Sequence, residues 1–308
     1  CAIEEITLFK KDFWKYGVVG RPVIIILRKE LDEKKRKENK LTARLYSTQY
    51  DIQKISFKSY SYEQNYFENT LHNRFRLFFD KESKVFVEKL ERKSRILGGE
   101  KGIVSIHTGI RSKIGQKKIV GEAKKGVNWK RGLISGGQIN RYSLKYEGHF
   151  INIEPALLWS GGWDPEIIQN KKLLLRKTGD SLITTYDDKG YYHLDNLHSI
   201  VLKDRDCNLK YILSVLNSNL MNKYYKFISL ESGRVMAQTD IETIEQLPIR
   251  PASKEKQKEI TRLVDKILLL NEQLNKTKSA KESQQLKSQI EEIDQKTEEK
   301  IKKIYEVD

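Results

Sequence analysis

The stretch Lys171-Lys172-Leu173-Leu174-Leu175-Arg176-Lys177-Thr178-Gly179-Asp180-Ser181-Leu182-Ile183-Thr184-Thr185-Tyr186-Asp187-Asp188-Lys189-Gly190 decides the fold. Its apolar runs, Leu173 to Leu175 and Ser181 to Tyr186, have the length of strands and are bounded by turn-forming residues, so they predict β-structure. Asp187-Asp188-Lys189-Gly190 has hairpin-turn chemistry. The same pattern extends outward: from about residue 100 to 210 the chain breaks into short apolar runs punctuated by Gly, Asn and Asp, among them Ile103 to Ile106 and Ser199 to Leu202. This is the spacing of an irregular, mostly β domain.

The period changes on both sides of that region. Lys81 to Leu97 predicts an amphipathic helix, with Phe86, Leu90 and Leu97 near one face and Gly98-Gly99 as its stop. Residues 209–227 carry Ile212, Val215, Leu216, Leu220 and Tyr224 as one helical stripe. A loop at 231–238 follows, Leu247-Pro248-Ile249 closes the domain, and Pro251 marks its boundary. Beyond it lie two amphipathic helices. One carries Ile260, Leu263, Val264, Ile267, Leu270 and Leu274, the other Leu286, Ile290, Ile293, Thr297, Ile301 and Ile304, with a polar link at 276–285. Spacings of three and four fit a coiled-coil or helical-hairpin seam.

At the other end, residues 3–8 and 18–28 predict strands, the second with a β-branched run suited to burial on both faces of a sheet. They have the character of the last strands of a larger sheet, and a first residue Cys1 predicts that the chain continues a longer protein. Lys29 to Lys40 is charge-dense and predicts an exposed turn or loop. The division expected is thus 1–97, 98–250 and 251–308, and the fold class α+β.

Lys and Arg number 58 against 42 Asp and Glu, a net charge of +16 that favours a polyanionic partner. The tail does not contribute it, because residues 251–308 hold 13 basic and 12 acidic side chains. Residues 98–146 do: 11 basic side chains face only Glu100 and Glu122 there. Lys and Arg interleaved with Gly, Asn and Trp129 over residues 111–131 can follow a phosphate backbone, so double-stranded DNA is the expected partner. No apolar run reaches membrane-span length, and Cys1 and Cys207 form no disulfide framework; a cytoplasmic protein without a membrane partner is expected.

Chemistry-bearing motifs are scarce. The prolines at 22, 155, 165, 248 and 251 are all isolated, which rules out within this sequence the Pro-Pro-aromatic motif that holds a flipped base for N-methylation. Histidines 72, 107, 149, 193 and 198 and Cys207 show no zinc-ligand spacing. Gly132 to Gly137 and Gly161-Gly162 lack the Lys-Ser/Thr of a phosphate-binding loop and predict backbone turns.

Five blocks in order carry a family resemblance: Ile134 to Tyr142, Lys171 to Gly179, Tyr186 to Tyr192, Leu213 to Leu220, and Leu247-Pro248-Ile249. They resemble the target recognition region of Taq-type N6-adenine DNA methyltransferases and the related type IIG restriction-modification enzymes. Ile106 to Ile110 is similar to the family's entry into this domain, and Ile293 to Tyr305 to its terminal helix. One departure is Ser135-Gly136-Gly137-Gln138, where the family usually has Lys or Arg, Gly, and Lys-Asp or Arg-Asp.

The resemblance implies that residues 1–29 end a methyltransferase domain and that the parent enzyme methylates adenine N6 with S-adenosylmethionine. A parent that also cleaves DNA would use Mg2+. No cofactor or catalytic residue is expected within this chain. The expected DNA contacts are Arg111, Lys113, Lys117, Lys118, Lys124, Lys125, Lys130 and Arg131 as the grip, with Arg141, Arg176, Lys177, Tyr186 and Arg234 as base or phosphate contacts. Arginine bonds guanine in bidentate fashion, which favours Arg141 and Arg176 as readers. The rival readings are a type I specificity subunit, normally with two recognition domains, and a stand-alone nuclease with unfamiliar motifs.

Overall fold

The computed structural model describes residues 1–10, 22–69, 75–159, 164–168, 170–229 and 237–307. They form two units, Cys1–Lys89 and Leu90–Asp308. In chain order the first unit contains β1 (Ala2–Phe9), β2 (Val23–Arg28), α1 (Glu33–Lys37), β3 (Lys40–Tyr46), α2 (Gln49–Gln53) and β4 (Lys58–Glu63), and α3 (Lys81–Glu91) runs across the division.

The first unit is built on a four-stranded sheet of order β2-β1-β3-β4, in which β1 is parallel to β3 and the other pairs are antiparallel. In β3, Leu41, Ala43 and Leu45 are buried while Lys40, Thr42 and Arg44 alternate outward, the period of a half-buried strand. Leu41 and Ala43 join Ile3, Ile6, Tyr62 and Phe67 in one core. The β-branched run expected to be buried on both faces is instead exposed along its length, 44–56% from Val23 to Leu27. The cause is position: β2 is the edge strand, and neither of its faces is covered within the described residues. Within the charged run expected as a turn or loop, Asp32 caps the backbone N–H of Lys35 and starts the short helix α1, none of whose residues is buried.

The second unit continues with β5 (Arg95–Ile96), β6 (Val104–Thr108), α4 (Gln116–Ile119), β7 (Val120–Gly121), β8 (Trp129–Leu133), β9 (Ile139–Asn140), β10 (Ser143–Leu144) and β11 (Phe150–Asn152). Then come α5 (Pro165–Ile168), β12 (Lys172–Arg176), β13 (Thr184–Asp187), β14 (Tyr192–His193) and β15 (Leu197–Leu202). It ends with α6 (Leu209–Asn217), α7 (Asn219–Ile228), α8 (Ile241–Glu245), β16 (Pro248–Ile249), α9 (Lys254–Lys276) and α10 (Ala280–Tyr305). Two four-stranded sheets organise it, β13-β12-β15-β6 and β14-β8-β11-β7, beside the two-stranded pairs β10-β9 and β16-β5. The fold is mixed α+β, as expected.

The helix expected to reach Leu97 stops at Glu91; Lys93 adopts φ 65°, and the chain turns into β5, which pairs with β16. The single helix expected over 209–227 is two. Every residue of the predicted stripe is buried, but Ser218 is extended and its hydroxyl accepts the Met221 N–H, capping α7 afresh. The tail forms the predicted hairpin: Ile260, Val264 and Ile267 of α9 and Leu286, Thr297 and Ile301 of α10 are buried, and the link is only Thr277 to Ser279. Glu298 on α10 caps α7 by accepting the N–H groups of Asn219 (2.7 Å) and Leu220 (3.0 Å). Tyr305 donates to Pro248 O at 2.6 Å and accepts the Arg250 N–H at 3.1 Å.

The turn at 187–190 is not a hairpin turn. β13 pairs with β12, whereas β14 pairs in parallel with β8, so the turn passes the chain from one sheet to the other. A single carboxylate holds it: Asp187 accepts the backbone N–H groups of Lys189 (2.8 Å), Gly190 (3.2 Å) and Tyr191 (3.0 Å), and Gly190 takes φ 71°. Asp187 stands directly across from Lys172, and their side chains, both 0% exposed, form an ion pair at 2.5 Å. The Lys172 ammonium also donates to Ile168 O at 2.6 Å. Burial pulls the Lys172 pKa below the usual lysine range, and the Asp187 carboxylate opposes that pull.

Removing one partner of a buried pair strands the other, typically at about 3–5 kcal/mol. Asp187→Ala should therefore cost about that much in a urea melt, since it isolates the ammonium and frees the turn's N–H groups. Lys172→Met should cost less, because the carboxylate keeps its backbone donors.

Candidate nucleic-acid interface

The predicted basic residues divide by what their charges meet. Lys117 and Lys118 stand exposed on α4, anchored by the fully buried Ile119, and Lys124 and Lys125 stand exposed in the following loop. Lys130 is half-buried on β8. Lys113 is exposed on a segment that pairs with residues 157–159: its N–H bonds Leu157 O at 2.9 Å, and Trp159 N–H bonds Arg111 O at 2.9 Å. None of these six lysines has a carboxylate partner among the described residues.

Two of them lie instead against indoles. Lys113 Nζ is 5.8 Å from the ring centroid of Trp159, itself 56% exposed, and Lys125 Nζ is 5.1 Å from that of Trp129. Gly121 makes room for the second arrangement, since a Cβ there would come within 2.9 Å of the Trp129 ring. Sequence reading singled out Trp129 but missed Trp159, whose nearness to Lys113 depends on a pairing across some 45 residues.

Four further candidates, Arg111, Arg141, Arg176 and Lys177, are bound within the chain. Arg111 and Lys177 share Asp195, at 3.3 and 3.0 Å. Arg141 pairs with Asp294 of α10 at 2.7 Å. Arg176 finds carbonyl groups: its guanidinium donates to Gly136 O at 3.0 Å, to Ile139 O, and to Asn140 Oδ1 at 3.2 Å. The two arginines favoured as base readers are thus occupied in tying the fold together. Tyr186 lies under the Lys210 ammonium, 4.7 Å away, and Arg234 falls outside the described residues, as do Gly161-Gly162.

The Ser135 to Gln138 departure is also accounted for locally. Ser135 Oγ accepts the Gly137 N–H, and the buried Gln138 side chain accepts those of Ile134 (2.7 Å) and Ser135 (3.0 Å), a reciprocal cap on a short 3-10 turn. Gly132, expected in a turn, lies within β8, where a Cβ would come within 2.4 Å of Ile151.

Below this surface two histidines are buried. Burial pushes the His193 imidazole down to about 3, and its ring nitrogens meet Leu194 O and Ser199 Oγ. His198 is also lowered by burial and contacts Thr239 O at 3.0 Å. Both belong to the core. Among the described residues no group of three or more His, Cys, Asp or Glu side chains could hold a metal ion.

Residues 131–249 match the family model of the TaqI-like C-terminal specificity domain. The structure of the type IIL restriction-modification enzyme MmeI in complex with DNA is similar in fold, with a TM-score of 0.51 and 10% identity, over 100% of this chain and 43% of that one. The type IIG restriction endonuclease BpuSI matches with a TM-score of 0.40 and 11% identity over 99% of this chain and 44% of its own. The HsdS subunit from Thermoanaerobacter tengcongensis matches with a TM-score of 0.36 and 10% identity, covering 73% and 51%. The chain therefore spans less than half the length of MmeI. No curated protein sequence matches it.

Arg176→Ala leaves carbonyl groups without their donor, and each unsatisfied buried group costs about 1–3 kcal/mol. A thermal melt should show that loss for Arg176→Ala, whereas Lys117→Ala and Lys118→Ala should melt as the unaltered chain does.

Proposed function

We propose that this chain recognises duplex DNA in a sequence-specific manner as the specificity portion of a restriction-modification adenine-N6 DNA methyltransferase. The observation that carries the reading is the coincidence of the match to the TaqI-like specificity domain at 131–249 with the lysines at 113–130 leading into it, which meet no carboxylate among the described residues. Lysines held away from carboxylates can release counterions from phosphates without first breaking an internal pair. Those at 113, 117, 118, 124, 125 and 130 form the electrostatic grip, joined by Arg111, whose side chain is 65% exposed beside Asp195.

Catalysis lies elsewhere in the parent enzyme, which uses S-adenosylmethionine and, if it cleaves DNA, Mg2+. The strands β1 and β2, within residues 1–29, belong to the end of the methyltransferase domain; the apolar faces of β2, uncovered among the described residues, support that assignment, because an apolar edge strand gains by further pairing and cover. The reading places the chain in the cytoplasm with its DNA. No helix among the described residues is long and apolar enough to cross a membrane.

Fluorescence anisotropy with a duplex across a salt series tests this. If the six lysines each neutralise one phosphate, log affinity against log salt should fall with a slope of about −5. A flat dependence would reject the grip. The chain incubated with labelled S-adenosylmethionine, or with magnesium and plasmid, should give neither methyl transfer nor cleavage.

A further inference from the structure

Arg131 differs from every other described arginine on the candidate surface. Arg111 and Arg141 meet carboxylates and Arg176 meets carbonyl groups, whereas Arg131 is exposed, and among the described residues no carboxylate pairs with it. What holds it is aromatic. Its guanidinium carbon lies 4.7 Å from the ring centroid of Tyr146 and 4.9 Å from that of Tyr191, and the rings stack on each other at 4.8 Å with a 25° interplanar angle.

One Nη2 hydrogen goes to Tyr191 Oη at 2.8 Å. The guanidinium has five N–H donors, so four remain for a ligand. The aromatic pair is itself fixed. Tyr146 Oη donates to His149 O at 2.6 Å, and the Tyr191 backbone is held by Asp187, the anchor of the buried ion pair. Strand alternation puts Arg131 on the same face of β8 as Trp129, against which Lys125 lies.

We propose that Arg131 is the guanine-reading residue of this domain, with Tyr146 and Tyr191 as positioning residues that orient its guanidinium before DNA arrives. The assignment rests on the DNA-recognition reading above. A planar, always-charged donor fork that stacks on aromatic rings and retains free N–H groups suits the O6 and N7 acceptors of guanine in the major groove. Stacking it in the free protein lowers the side-chain entropy lost on binding. A phosphate contact needs no such orientation, which is why the flexible lysines nearby serve that purpose.

The test is selection of a randomised duplex pool by the full chain, read by sequencing, with thermal melts alongside. The unaltered chain should enrich a motif. Arg131→Ala should flatten one guanine position, with discrimination there falling roughly five- to a hundredfold, while preferences elsewhere in the motif persist. Arg131→Lys keeps the charge and long stem if the alanine variant melts early, and should lose the same preference with near-normal affinity for random duplex. Tyr191→Phe keeps the ring stack but removes the hydroxyl acceptor; it should lower discrimination at that one position severalfold and leave random-duplex affinity unchanged.

Uniform weakening across all motif positions in Arg131→Ala and Arg131→Lys, or an unaltered motif in both, would overturn the assignment while leaving DNA recognition standing. If the unaltered chain binds duplex but enriches no motif, the specificity reading itself fails and this inference with it.

Discussion

The buried ion pair between Lys172 and Asp187 is the constraint on which the recognition unit depends. Taking either charge from water costs several kcal/mol, and the pair tolerates burial only because its remaining valences are filled. Lys172 reaches a carbonyl as well as the carboxylate, and Asp187 gathers three backbone N–H groups. Those three bonds give the pair its consequence: they stop β13 at Asp187 and send the next strand into the other sheet, beside β8. An asparagine at 187 could still accept N–H groups of the turn but could not neutralise the lysine, and an apolar residue could do neither. The charged core contact and the topology are thus one feature, and Tyr191 takes its place from it.

Much of this frame was legible before the structure. The strand around 173–175, the one expected at 181–186 that begins only at Thr184, the stripe on 212–224 and the seam of the tail all rest on local apolar patterning, which survives in the folded state. Partners were not legible. Alternation tells which residues share a face of a strand, not which strand lies beside it, so Asp187 to Gly190 looked like a hairpin turn when its flanking strands belong to different sheets. Ser218 illustrates the same limit on a helix, because one capping hydroxyl interrupts the backbone without disturbing the apolar stripe on either side.

The candidate site was legible as a patch and not as a set of roles. Counting charge located the basic stretch, but which cations remain available depends on carboxylates remote in sequence: Asp294 lies 153 residues from Arg141, and Asp195 serves Arg111 and Lys177 together. A general preference for arginine as base reader selected Arg141 and Arg176, and both meet partners inside the fold. Arg131 was grouped with the backbone contacts because nothing in its neighbourhood in sequence shows that Tyr146 and Tyr191 converge on it.

The helical hairpin braces the rest of the second unit through polar contacts. A spacer that served only to separate domains would need no polar contacts with the β-structure. Here α10 caps α7 through Glu298, pairs with Arg141 through Asp294, and closes on the β16 strand through the buried hydroxyl of Tyr305, while Asn275 of α9 donates to Ser143 Oγ at 3.1 Å. Arg141 and Ser143 lie at and beside the β9-β10 pair, and Leu144 and Tyr146 pack against the core that contains Tyr191. The hairpin therefore braces the segment carrying Tyr146 from one side as the Lys172–Asp187 pair fixes Tyr191 from the other. An arginine oriented by two rings is only as well placed as the rings are, and each ring here traces to a buried or bridging charge.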